Sequence, residues 1–195
     1  MSSFPGYDYY LLDDLLTTEE RMARQAVREF VDAEVLPIIE EHNERGSFPL
    51  HLVPKLAGLG VLGMTLPAEY GCAGMSNVAY GLVMQELERG DSGIRSFASV
   101  QGGLVMYPIH AFGTEEHRRS YLPRLAAGEW IGAFGLTEPD YGSNPGGMVT
   151  RARREGSTWV LNGAKMWITN GSIADVSVVW AKDEDGLIRG FLVEK

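Results

Sequence analysis

The chain has 195 residues, of which 45% are hydrophobic and 22% charged, enough to bury a real core in one or two globular domains. A net charge of −9, with no compensating basic stripe, argues against nonspecific nucleic-acid binding. Cys72 is the only cysteine, so no disulfide forms within the chain, and no apolar run reaches the length of a membrane span.

The first half reads as helical. Thr17-Thr-Glu-Glu20 fits a capping box, and Ala23, Val27, Phe30 and Val31 then fall on one face at helical spacing. Pro37 predicts a kink or end to this helix, and Gly46 predicts its stop. A short helix opens at Pro49 and closes at Gly58 and Gly60, followed by a Pro- and Gly-rich loop from Leu66 to Met75. A second long helix is predicted from Ser76 or Asn77 to about Arg89, burying Ala79, Val83 and Leu87. A third starts near Asp91 and carries Arg95, Val100, Leu104 and Ile109 toward Phe112, with Gly102-Gly103 loosening it. Thr114 then caps an amphipathic helix holding Tyr121, Leu122 and Leu125.

At Trp130 the pattern changes to short β-rich runs separated by Gly- and Asp-rich turns. They are Trp130 to Leu136, Met148 to Arg154, Thr158 to Leu161, Met166 to Thr169, Val176 to Ala181 and Ile188 to Val193. The division is an N-terminal α-helical domain over 1–129 and an incomplete β domain over 130–195. Arg151-Ala-Arg-Arg154 falls in a hairpin and reads first as a solvated strand end, with attraction of phosphates or a neighbouring subunit as the alternative. The final apolar strand with its unpaired edge leads to the expectation that this is the N-terminal half of a longer protein. Met1 to Pro5 carries no targeting signal, which makes bacterial or archaeal cytoplasm the expected location.

Two segments concentrate the chemistry. Phe134 to Ser143 reads Phe-Gly-Leu-Thr-Glu-Pro-Asp-Tyr-Gly-Ser, and Lys165 to Gly171 reads Lys-Met-Trp-Ile-Thr-Asn-Gly. Each is read as an apolar strand running into a turn. Gly142 allows close backbone approach, Thr137, Ser143 and Thr169 offer hydroxyls, and Trp167 offers a flat apolar wall. A flat face with donors at its edge suits a flavin dinucleotide. The four histidines show no ligand spacing, so no metal site is expected.

These paired motifs resemble those of the acyl-CoA dehydrogenase family, and the resemblance extends from the helix after Thr18 to Lys195. It implies an α+β fold: an N-terminal helical domain, a central β-barrel-like domain and a C-terminal helical bundle that is absent here. It also implies FAD as cofactor, held by Phe134, Leu136, Thr137, Gly142, Ser143, Trp167, Ile168 and Thr169. Thr137 and nearby backbone N–H groups would face the N1/O2 edge of the ring, Thr169 would lie near N5, and Ser143 between the phosphates and the acyl-CoA. The family reaction removes an α-proton from an acyl-CoA thioester while the β-hydrogen leaves as hydride. The catalytic glutamate is expected beyond residue 195, so no catalytic residue is assigned in this chain. Glu138 is expected to orient its turn. Where the family continues the loop after Gly71 with glycine this chain has Cys72, and Asn144 replaces the usual aspartate after Gly-Ser.

Within the family, Asp91-Ser-Gly-Ile-Arg-Ser96, together with the tail from Val179, is most similar to glutaryl-CoA dehydrogenase. The implied substrate residues are Arg95, Ser96, Ser143 and Glu88. Arg95 would pair with the distal carboxylate, Ser96 would add a hydrogen bond and Glu88 would restrain the arginine. Read from the residues alone, Arg95 is a surface ion pair at a helix start. The implied activity is oxidation and decarboxylation of glutaryl-CoA to crotonyl-CoA, a step of lysine and tryptophan degradation. Electron-transfer flavoprotein would be the oxidant and the full-length assembly a homotetramer. Two other readings stay open: a dehydrogenase for another short-chain or dicarboxylic acyl-CoA, and a catalytically silent fragment.

Overall fold

The computed structural model describes residues 9–195; the N-terminal residues read for a targeting signal lie outside that range. Seven α-helices come first: α1 Thr18–Phe30, α2 Ile39–Arg45, α3 Val53–Gly58, α4 Asn77–Gly90, α5 Ser92–Ser99, α6 Tyr107–Phe112 and α7 Glu115–Ala126. Five strands follow: β1 Gly132–Gly135, β2 Arg151–Glu155, β3 Thr158–Asn162, β4 Val176–Lys182 and β5 Ile188–Glu194. Among the described residues no helix is long and apolar enough to cross a membrane.

Local chemistry sets the helix starts. Thr17 and Glu20 form the expected reciprocal capping box, Ser76 accepts from the Ala79 amide, and Thr114 accepts from the His117 amide. Gly46 ends α2 with a left-handed φ of 61°. Two stretches widen into π turns, Val31–Val35 after α1 and Val100–Met106 between α5 and α6. The first precedes Pro37, so the helix changes pitch before the proline breaks it. The second contains the Gly102-Gly103 pair and makes residues 92–112 one nearly continuous rod.

Two apolar clusters organise the molecule. In the first, Val27, Phe30 and Val31 pack with Leu56, Val83, Leu87, Ile94 and Phe97. Each such fully buried side chain contributes about 1.5–3 kcal/mol. Glu86 is buried at the edge of this packing and accepts from Arg28 at 3.1 and 2.7 Å and from Arg89 at 2.9 Å. These bonds outweigh its burial and hold its pKa below the ordinary carboxylate value. The second cluster joins the helices to the sheet: Val100, Val105, Met106, Ile109, Leu122 and Leu125 meet Val176 and Val178 of β4.

The strands form one mixed sheet centred on β4. β1 runs parallel to it from Gly132↔Val176 to Gly135↔Val179, and β5 runs antiparallel on its other side from Val176↔Glu194 to Lys182↔Ile188. The β2–β3 hairpin joins through Arg151↔Lys182. The α+β order is therefore the expected one. One predicted strand is absent: Met166 to Thr169 is not extended, because Trp167 and Asn170 take left-handed φ values of 60° and 65°. A strand cannot pass through such residues, and the segment instead forms a folded loop against the end of β1.

Candidate functional site

The two motifs meet at one cleft of about 230 Å³. Phe134, Leu136 and Thr137 line it from the end of β1, and Trp167, Ile168 and Thr169 from the folded loop. Val100 and Leu104 close the floor from the π turn. Six of the eight residues expected to hold a flavin thus come together. Gly142 and Ser143 do not line this cleft; they stand exposed on the turn that continues the first motif. A larger groove of about 780 Å³ lies between α6–α7 and β4–β5, and none of the predicted site residues lines it.

A buried ion pair staples the motifs together. Lys165 Nζ donates to Glu138 Oε1 at 2.8 Å and to the Leu136 carbonyl at 3.1 Å. Glu138 also accepts from the amides of Val149 at 2.6 Å and Thr150 at 3.0 Å, and Met166 N–H donates to Thr137 O at 2.9 Å. Burial pushes the Glu138 pKa up, but Lys165 and the amides outweigh it and hold the group down at about 2. Glu138 orients the turn, as expected. Its partner Lys165 opens the second motif, and no local pattern encodes this long-range role.

Gln101 fixes the cleft floor to the sheet. Its fully buried side chain donates to Leu125 O at 3.0 Å and Trp130 O at 2.9 Å, and accepts from Gly132 N–H at 2.7 Å. Asn170 Nδ2 donates to Gly132 O at 3.0 Å, and Asp175 accepts from Ile131 N–H at 2.8 Å. The start of β1 is therefore held from three elements. No local pattern assigns Gln101 this role; its only local signal is a polar residue on an otherwise apolar helix face.

Of the predicted substrate residues, Arg95 and Ser96 lie on α5 in the same rod, Glu88 lies on α4, and Ser143 lies on the exposed turn. Arg95 Nε donates to Glu88 Oε2 at 2.5 Å, and its Nη1 reaches Ser99 Oγ at 3.4 Å. Ser92 Oγ donates to Glu88 Oε1 at 2.6 Å. The restraint of Arg95 by Glu88 is present. The serines that serve the pair are Ser92 and Ser99; no bond from the Ser96 hydroxyl occurs among the described residues. The pair is 35% and 46% exposed at its side chains and stands outside the cleft lining.

The cleft fits a flat, polar-edged ring. Trp167 is 85% exposed, and its left-handed backbone, costly for an aromatic residue, turns the indole away from the core. Thr137 and Thr169 bring hydroxyls to an otherwise apolar lining. A Cβ added at Gly142 would meet nothing within 4 Å, so open space lies against that backbone for a ligand to approach.

Comparison with known proteins gives the same picture. Residues 17–129 match the N-terminal domain of acyl-CoA dehydrogenase, and residues 133–195 its middle domain. The chain belongs to the acyl-CoA dehydrogenase family. Among solved acyl-CoA dehydrogenases, a glutaryl-CoA dehydrogenase from Mycobacterium smegmatis, in complex with FADH2, superimposes with a TM-score of 0.90 at 57% identity. That match covers 93% of this chain and 47% of the other. The short-chain-specific acyl-CoA dehydrogenase of Clostridium acetobutylicum is 40% identical over 191 residues, covering 94% of this chain and 50% of its own length. The human mitochondrial short-chain-specific enzyme is 38% identical over 182 residues, covering 91% and 44%. The chain spans about half the length of the relatives it matches, and the C-terminal helical domain of the family is not among its 195 residues.

Proposed function

We propose that this chain carries the FAD- and acyl-CoA-binding part of a glutaryl-CoA dehydrogenase, which oxidises and decarboxylates glutaryl-CoA to crotonyl-CoA. The observation that carries the reading is the convergence of both motifs on one cleft beside a rod whose Arg95 pairs with Glu88 of α4. In this reading Phe134, Leu136, Trp167 and Ile168 enclose the ring. Thr137 and Thr169 hold its polar edges, and Gly142 and Ser143 receive the phosphate-bearing portion. Bound FAD supplies the acceptor for the hydride that leaves the substrate β-carbon.

Arg95 holds the distal carboxylate of the substrate, with Glu88 and Ser99 limiting how tightly it can grip. Ser96, at the following position, adds a hydrogen bond to the substrate in this reading. The proton-abstracting carboxylate comes from outside this chain. Glu138 is locked to Lys165, Glu86 lies between two arginines, and Glu88 is paired with Arg95. The reading includes a helical domain over 1–129, a β domain over 130–195, electron-transfer flavoprotein as the oxidant and a homotetrameric assembly.

A second reading has support of its own: Arg95 stands outside the cleft lining, and two of the relatives above are short-chain-specific enzymes. One experiment separates them. In the protein assembled with its C-terminal helical domain, Arg95→Gln is assayed on glutaryl-CoA and on butyryl-CoA. A selective loss on glutaryl-CoA of roughly a hundredfold, matching about 3 kcal/mol for hydrogen bonds to a charged group, supports the glutaryl assignment. Equal losses on both substrates would favour the short-chain reading.

A further inference from the structure

The peptide between Leu136 and Thr137 is held from one side only. Its carbonyl accepts from Lys165 Nζ at 3.1 Å, and the next carbonyl, Thr137 O, accepts from Met166 N–H at 2.9 Å. Among the described residues no peptide bond is cis, so the Thr137 N–H points opposite to the Leu136 carbonyl, away from Lys165. Among the described residues no acceptor takes this N–H, although Thr137 lines the cleft. A main-chain donor left without a partner beside a cleft is a group waiting for a ligand acceptor.

We propose that Lys165 is a positioning residue that aims the Leu136–Thr137 peptide, presenting the Thr137 N–H to the ring edge of the bound cofactor. The proposal rests on the reading of the cleft as a flavin site. Lys165 is suited to the task because its position is fixed twice. Glu138, 1% exposed at its side chain, anchors the ammonium, and Glu138 is itself tied to the amides of Val149 and Thr150. The ammonium therefore cannot follow the peptide if the peptide rotates, and rotation costs a charge-assisted hydrogen bond. The donor on the other end of that peptide is then preorganised rather than selected from a mobile turn. An N–H at the ring edge that gains negative charge on reduction favours the reduced form.

The test compares wild type, Lys165→Met and Lys165→Arg, each assembled with its C-terminal helical domain, in three measurements: the 13C resonance of the Leu136 carbonyl, the dissociation constant for FAD and the reduction potential of bound flavin. Loss of the Lys165 donor is expected to shift the Leu136 resonance, weaken FAD binding about tenfold and lower the potential. Arginine, which keeps a cationic donor, is expected to recover most of each. A merely structural role would lower the melting temperature while leaving the potential of the bound flavin unmoved, and that result overturns the proposal. So does an unshifted Leu136 resonance in folded Lys165→Met. Should Lys165→Met fail to fold because Glu138 is stranded without its cation, the double variant Glu138→Gln/Lys165→Met removes that charge and carries the same measurements. Should wild type take up no FAD, the functional reading fails, and the Leu136 resonance still decides the positioning claim.

Discussion

At the scale of single residues, Glu138 is the most constrained group in the site. Its ordinary pKa of 4.5 falls to about 2 in the folded chain, because Lys165 and two amides outweigh the cost of burial. A depressed carboxylate pKa contributes stability that is fully present above 4.5 and is lost as pH falls from 4.5 toward about 2. The difference corresponds to on the order of 3 kcal/mol. Glu138→Gln is expected to remove most of that contribution at neutral pH and to flatten the pH dependence in this window. Urea denaturation of wild type and variant on either side of the window measures both effects; parallel pH profiles would refute the assignment. Arg95 differs in kind. Its partner Glu88 is half exposed, so solvent screens the pair and it adds little to stability.

At the scale of elements, the rod from Ser92 to Phe112 does more than cover the core. Its π turn brings Val100 and Leu104 to the cleft and leaves Gln101 buried between Leu125, Trp130 and Gly132. Gln101→Leu keeps the volume approximately but strands one buried N–H and two carbonyls, and is expected to cost about 3 kcal/mol. Gly132→Ala tests the same junction by crowding, since a Cβ there would lie 2.6 Å from Val105 Cγ1. Overpacking of this kind costs about 1–3 kcal/mol. Chemical denaturation of both variants checks the junction; changes within experimental error would show that the rod and β1 are not tightly coupled. These contacts also mark what the sequence could disclose. Thr17, Ser76 and Thr114 were legible as helix starts because capping is decided within four residues. Four of the five observed strands and the hairpin holding Arg151 to Arg154 were legible from periodicity and turn residues, and β1 as the core of a longer predicted run. Met166 to Thr169 misled because its composition is that of a strand, while its left-handed Trp167 and Asn170 are imposed by packing onto Thr137 and Gly132. The π turns, Gln101 and the Lys165–Glu138 pair depend on partners distant in the chain, and no local pattern encodes them.

At the scale of the whole molecule, the helices and the sheet share a core rather than meeting across a surface. Val176 and Val178 of β4 are buried in the same cluster as Val105, Met106, Ile109, Leu122 and Leu125. β4 is also the strand on which β1, β2 and β5 all pair. Loosening β4 therefore removes support from the sheet and from the helical layer at once. The described chain should unfold in a single transition, because the cluster that joins β4 to the helices is closed only when both layers are in place. Val178→Ala is expected to lower stability by about 2 kcal/mol, the cost of deleting buried methyl groups and leaving a cavity. The loss should appear as the same midpoint shift in helical circular dichroism and in tryptophan fluorescence, whose reporters Trp130, Trp159, Trp167 and Trp180 lie at or within the β region. If fluorescence shifts while circular dichroism holds its midpoint, the layers unfold separately. The cleft between them would then depend on a contact weaker than the shared core implies.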